Sequence, residues 1–337
     1  MVLDNIMDTI TKRFWQCLQN KPELNIEVKK NILCKIDPHK DIPGPIRREI
    51  KTYNTCYVLK YPDYKTEIKL YGKKKYCEQV LKQVDHIHDV LYLFSKVIKT
   101  KYTNDIHIYL TNYEKELPEV HEDCVIKPYH VNSSILMYRN NSKKNTIIIY
   151  RKEEWFKVFI YELLRGYRMD AFDSEPYLNL SESFFEAWSI LLQCIFYANS
   201  KSDKYSKFKS ILIESLEMEI VFSMVQANKL LKHMYTHYNA LIQEHKHDVN
   251  MNMMRDLYYN EDTNIYSHYV LKIVHLFFYD EFLENCDKDI PFIIMKYKNL
   301  ILFLENGYKN NIFMDSMFEY SIPQKDRSLL LSCLDLE

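Results

Sequence analysis

The run "NTIIIYRKEEWFKVFIYELLRGYR", residues 145–168, constrains the fold more than any other stretch of the chain. Its opening "TIIIY" is a short apolar run that reads as a sheet strand. Near Glu153 the apolar spacing changes to that of a helix, so the run predicts a sheet strand at 145–150 followed by a helix around 153–168 that packs centrally. It also divides the chain. Upstream, "TCYVLKY" and "TEIKLYG" read as two short strands joined at "PDYK", "DIHIYL" (105–110) alternates as a strand, and "SSILMYR" and "NTIIIYR" follow with the polar stretch "NNSKK" between them as a hairpin or loop. Residues 4–20 have helical spacing, with Ile6, Ile10, Phe14, Cys17 and Leu18 on one face, "IPGPIRREI" (42–50) is a turn followed by a helix start, and 76–98 reads as one helix. Downstream, helical patterns cover 181–198, 208–246, 265–285 and 291–307, with a polar connector at 199–207 and a stop at Gly307.

These patterns predict an α+β fold: a mixed α/β part with a small sheet, then a mainly α-helical C-terminal part. Three regions are expected, a helical segment over 1–50, an α/β core over 51–198 and an α-helical region over 199–337. A chain of 337 residues with 47% hydrophobic content has ample material for a large core. Glycine is scarce, at Gly44, Gly72, Gly166 and Gly307, which excludes the usual P-loop, the kinase glycine-rich loop and the Rossmann turn. Such a composition, poor in Gly and rich in Lys, Asn, Ile and Tyr, is what an AT-rich genome encodes.

The net charge of −1 argues against nucleic-acid binding over a broad surface and leaves only local patches such as Lys73-Lys74-Lys75, more simply read as a solvated helix start. The eight cysteines are scattered without C-x-x-C, so a zinc finger is not expected and free thiols in a reducing cytosol are. The N-terminus lacks the pattern of a signal peptide, so the sequons at Asn132, Asn140 and Asn179 carry no meaning, and no stretch is apolar for long enough to span a membrane.

Within the central helix, "YELLR" stands where H-E-x-x-H would make a zinc site. Two His one turn apart reach one ion, the Glu between them serves as general base, and a Glu from a following helix completes the ligand set with one position open. "SESFFEAW" follows, with Glu182 17 residues beyond Arg165, a distance a helix–loop–helix return spans. The ordered elements "IHIYLTNYEKELP", "VNSSILMYR", "NTIIIYR", "VFIYELLR" and "ESFFEAW" together resemble the zinc-metallopeptidase-like, gluzincin-like proteins of large cytoplasmic DNA viruses. The resemblance covers about 50–200 and is tight over 145–198.

It implies a degenerate zincin-like core, with Glu162 at the general base, Tyr161 and Arg165 at the two imidazole positions, Glu182 at the third ligand and Glu186 as its supporting neighbour. Ser134 stands where that family usually has Gly. Arginine has no lone pair for a metal and stays protonated, and tyrosine would have to ionise to bind one well. The resemblance therefore implies no metal, no cofactor and no catalysis. It implies a viral pseudoenzyme of the host cytoplasm or virion, acting as a structural or interaction component with a protein partner.

Two further readings stay open: an active metal-dependent peptidase with other ligands, and a binding module in viral transcription or nucleic-acid processing. His233 and His237, with His245 and His247 nearby, lie one turn apart but lack a carboxylate at convincing spacing; His86 and His88 alternate on a helix and so face different ways.

Overall fold

The computed structural model describes residues 5–32, 36–98, 102–119, 125–138, 144–167, 178–234, 263–293, 297–321 and 327–334. Six strands form one open sheet: β1 (Glu27–Ile32), β2 (Thr55–Tyr61), β3 (Thr66–Gly72), β4 (Thr103–Leu110), β5 (Ser134–Met137) and β6 (Lys144–Ile149). Their order is β1-β2-β3-β4-β6-β5. The central neighbours β3, β4 and β6 run parallel, while β1, β2 and β5 join antiparallel at the two sides. The continuous apolar run of β6 follows from this position. Its Ile147 and Ile149 face a large helical layer, and Ile148 faces a smaller one.

The smaller layer rests on α2 (Gly44–Ile50), whose Ile46 and Ile50 pack with Val58, Tyr71 and Tyr109. On the other face lie α1 (Asn5–Gln19), α3 (Lys74–Leu81), α4 (Val84–Val97) and α6 (Trp155–Gly166), α5 being the short turn Pro128–Val131. Behind α6 come α7 (Leu178–Ser200) and α8 (Tyr205–His233), then α9 (Lys272–Phe277), α10 (Tyr279–Glu284), α11 (Tyr297–Gly307) and α12 (Asn311–Glu319). Almost every described residue of α6 and α7 is buried, charged ones included, because each helix is covered on every side. No helix among the described residues is long and apolar enough to cross a membrane.

The mixed α/β organisation is as the pattern predicts, with four differences. Residues 27–32 form an edge strand inside the segment expected to be helical. "EVKKNI" alternates only weakly, and two lysines on an edge strand mark solvent, not core. The expected helix over 76–98 is two helices, parted at Lys82–Gln83. The one expected over 265–285 contains a π-turn at Ser267–Leu271 and breaks at Phe278, which leaves helical geometry at φ −106° and ψ 48°. Pro291 to Ile293 are not helical, and α11 begins at Tyr297. The expected helix over 208–246 is present to His233, and its remainder lies outside the described residues.

Gly166 lets the end of α6 lie against the sheet. A Cβ there would stand 2.7 Å from Asn104 Oδ1 and 3.3 Å from Ile147 Cδ1, and the Gly166 carbonyl accepts from Asn145 Nδ2 at 2.5 Å. Gly166→Ala is expected to destabilise the fold by about 1–3 kcal/mol through overpacking. A thermal melt with no loss of stability would show that the helix end can back away from β4 and β6.

Candidate functional site

Strand β6 ends at Ile149, and Arg151, 1% exposed, follows it. Its guanidinium donates to the carbonyls of Tyr113, Glu114, Tyr129 and Asn132 at 2.5–3.1 Å, tying two loops to the end of the strand. The chain then enters α6 through Glu154, a non-glycine residue in left-handed conformation (φ 52°, ψ 21°). One consequence of the Arg151 clamp is the placement of Asn132 and the start of β5. Ser134 there donates to Glu162 Oε1 at 2.6 Å, so this serine holds the central glutamate.

Lys157, Tyr161 and Arg165 are spaced four apart and share the face of α6 that meets α7. Tyr161 donates its hydroxyl hydrogen to Glu182 Oε2, and Lys157 pairs with Glu186 Oε1. Arg165 lies between the two helices: its Nη1 is 3.4 Å from Glu162 Oε2 and its Nη2 is 3.5 Å from Glu182 Oε1. Its guanidinium also lies 5.4 Å from the centre of the Tyr161 ring. Tyr161, Glu162, Arg165, Glu182 and Glu186 therefore form one cluster. Glu162 is 1% exposed and the Arg165 side chain 26% exposed, so the cation forms the outer side of a buried carboxylate group.

His268 and Lys157 complete the cluster, and the sequence reading missed both. His268 comes from the π-turn, 82 residues beyond Glu186, and its Nδ1 is 3.2 Å from Glu186 Oε2. No spacing rule links it to α7. Burial pulls its pKa down to about 4, more than Glu182 raises it, so the ring is neutral at pH 7. Lys157 did leave a signal, one turn before Tyr161 on the same face.

The two central carboxyls are pushed in opposite directions. Burial raises Glu162 above the ordinary range despite Arg165 and Ser134. Burial also pushes Glu182 up, but Arg165, His268 and the Tyr161 hydroxyl together outweigh it and hold Glu182 below.

A cavity of about 210 Å³ opens on this cluster, lined also by Ser133 and Tyr269. Both hydroxyls are buried and have no hydrogen-bond partner among the described residues. The donor set does not fit zinc. Tyr161 keeps its proton, because burial raises its pKa far above the ordinary value, and a guanidinium stands between Glu162 and Glu182. Among the described residues, no three His, Cys, Asp or Glu side chains are arranged to hold a metal ion.

The other histidines lie elsewhere. His88 Nε2 meets the Tyr64 hydroxyl at 2.8 Å, while His86 packs on Phe156 at the other side of α4. His233 ends α8, and His237, His245 and His247 lie outside the described residues. No family model, curated protein or solved structure matches the chain.

Proposed function

We propose that the chain is a catalytically inactive, metallopeptidase-like protein, a pseudoenzyme with a degenerate zincin-like core that serves as a structural or interaction component for a protein partner. The observation that carries this reading is Arg165, which reaches Glu162 on its own helix and Glu182 on the next. A guanidinium neutralises two facing carboxylates much as a metal ion would, but it offers no Lewis acidity and lowers no water pKa. The order strand, helix, helix, with the carboxylates converging from α6 and α7, supports descent from a zinc site. The cavity over the cluster, beside the short strand β5, is where a partner's polar group would be received.

The test is elemental analysis of two purified forms of the chain. The natural chain is expected to carry no stoichiometric zinc. Tyr161→His combined with Arg165→His is expected to take up zinc, because it supplies two imidazoles one turn apart with Glu182 opposite. One tightly held zinc per natural chain, lost on Glu162→Gln or Glu182→Gln, would overturn the inactive reading. Failure of a folded double variant to bind zinc would count against zincin descent.

A further inference from the structure

Residues 327–334, "RSLLLSCL", lie in a groove whose walls read their main chain. The stretch begins as an antiparallel bridge to the loop at 115–117. Leu117 N–H donates to the Arg327 carbonyl at 2.8 Å, and Leu329 N–H donates to the Lys115 carbonyl at 3.0 Å. Beyond the bridge, side chains take over. Leu330 N–H donates to Gln226 Oε1, Leu331 and Ser332 N–H to Glu154 Oε1, and Cys333 and Leu334 N–H to Glu219 Oε1. Every main-chain N–H from Leu329 to Leu334 therefore has an acceptor on another element. Lys229, Lys272 and Gln193 donate to the carbonyls of Ser328, Leu331 and Leu334, each at 2.6 Å. Glu219, Gln226 and Lys229 share one face of α8.

Burying a charged side chain costs far more than burying an apolar one, so apolar contacts would suffice for a segment that served stability alone. Yet Lys272 and Glu219 are 0% exposed here, and both are aimed at main-chain atoms, which any extended chain carries. Side-chain preference enters at three positions. Leu329 and Leu331 are buried, and Ser332 Oγ donates to Glu219 Oε1 at 2.6 Å. Main-chain bonds combined with pockets for alternate side chains are the arrangement of peptide-recognition sites.

The groove is not closed over its occupant. Cys333 is exposed, and Ser328, Leu330 and Leu334 are half-buried. Leu331 lines the cavity over the cluster, and Leu334 lines a second cavity, about 680 Å³, at the start of α6. An incoming chain can therefore reach the seated segment from open space. An empty groove would strand Glu219 and Lys272 without the main-chain groups they bond, so the occupant leaves only as another extended chain takes over its bonds.

We infer that this groove is a peptide-binding site, filled here by the chain's own residues 327–334, and that it takes in exchange an extended segment of a protein partner. That segment carries two apolar residues two apart and a small hydroxyl residue next, the pattern of Leu329, Leu331 and Ser332. This partner chemistry rests on the interaction role proposed above and not on zincin descent, which the zinc measurements test separately.

Two measurements on the full chain test it, with a synthetic peptide of residues 327–334 carrying Cys333→Ser as probe. Leu329→Ala combined with Leu331→Ala in the chain weakens the seated segment and leaves the groove intact. The folded variant is expected to bind one probe per chain in calorimetric titration, at least about tenfold more tightly than the natural chain, where the tethered segment competes at an effective concentration on the order of millimolar. A control peptide with Leu329→Asp and Leu331→Asp is expected not to bind. In the natural chain, Cys333 reports the exchange. While seated, its thiol donates to Glu219 Oε1 at 3.4 Å, and burial pushes its pKa up to about 12. Millimolar probe is expected to speed alkylation of Cys333 by iodoacetamide at least about threefold, read by mass spectrometry, and the control peptide to leave the rate unchanged. A rate that the probe does not change overturns the inference, whether or not the variant folds. So does a folded variant that binds the probe no better than the control.

Discussion

Arg165→Ala is expected to lower the stability of the folded chain by about 2–3 kcal/mol at pH 7, measured by denaturant unfolding. Breaking a fully buried pair costs about 3–5 kcal/mol, and the partial exposure of Arg165 reduces that figure. The loss arises from Glu162 and Glu182, left facing each other so that one must take a proton. The pH dependence has a definite sign. Glu182 is held below its ordinary pKa, so its contribution to stability is present above the unfolded value of about 4.3 and fades as pH falls through the folded value. The gap between natural chain and variant should therefore be widest near neutrality and close below about pH 4. Arg165→Lys keeps the charge without the planar fork and should cost less, about 1 kcal/mol. An Arg165→Ala chain as stable as the natural one at pH 7 would show that Arg165 does not stabilise the cluster.

A larger loss, about 4 kcal/mol, is expected for Glu154→Ala. Its carboxylate pairs with Lys115, which is 0% exposed, and accepts the N–H groups of Leu331 and Ser332 at 2.5 and 2.7 Å. Removing it strands a buried ammonium and two backbone donors. Those donors belong to the C-terminal segment 327–334, which is held throughout by buried side chains. Lys229 and Lys272 donate to the carbonyls of Ser328 and Leu331, and Glu219 Oε1 accepts from Ser332, Cys333 and Leu334.

Two controls separate the causes. Glu154→Gly should be about 1 kcal/mol less damaging than Glu154→Ala, since Gly accepts the left-handed conformation more readily. Lys115→Met added to Glu154→Ala should recover part of the loss, because no unpaired buried charge then remains. If the double variant is as unstable as the sum of the two single ones, stranded charge is not the cause.

Most of the sheet and the central helices were legible in the sequence. Strand β6 announced itself through its β-branched run, β2 to β5 through short apolar or alternating stretches, and α6 and α7 through apolar content, because burial leaves a hydrophobic pattern. Strand β1 did not, since "EVKKNI" carries two lysines and alternates only weakly. The breaks at Lys82–Gln83 and Phe278 were illegible for a different reason: neither Pro nor Gly marks them, so tertiary packing overrides a periodicity that runs through.

In the candidate site, the sequence by itself determined which groups α6 and α7 could bring together. The helical period fixes Lys157, Tyr161 and Arg165 on one face, and side-chain chemistry fixes Arg165 as a permanent cation without a metal-binding lone pair. Only the tertiary structure decided that Glu182 and Glu186 meet that face, that Ser134 holds Glu162, and that His268 arrives from 82 residues away to close the cluster. Periodicity acts over one or two turns of chain, whereas these contacts depend on how separate elements pack, which no local spacing encodes.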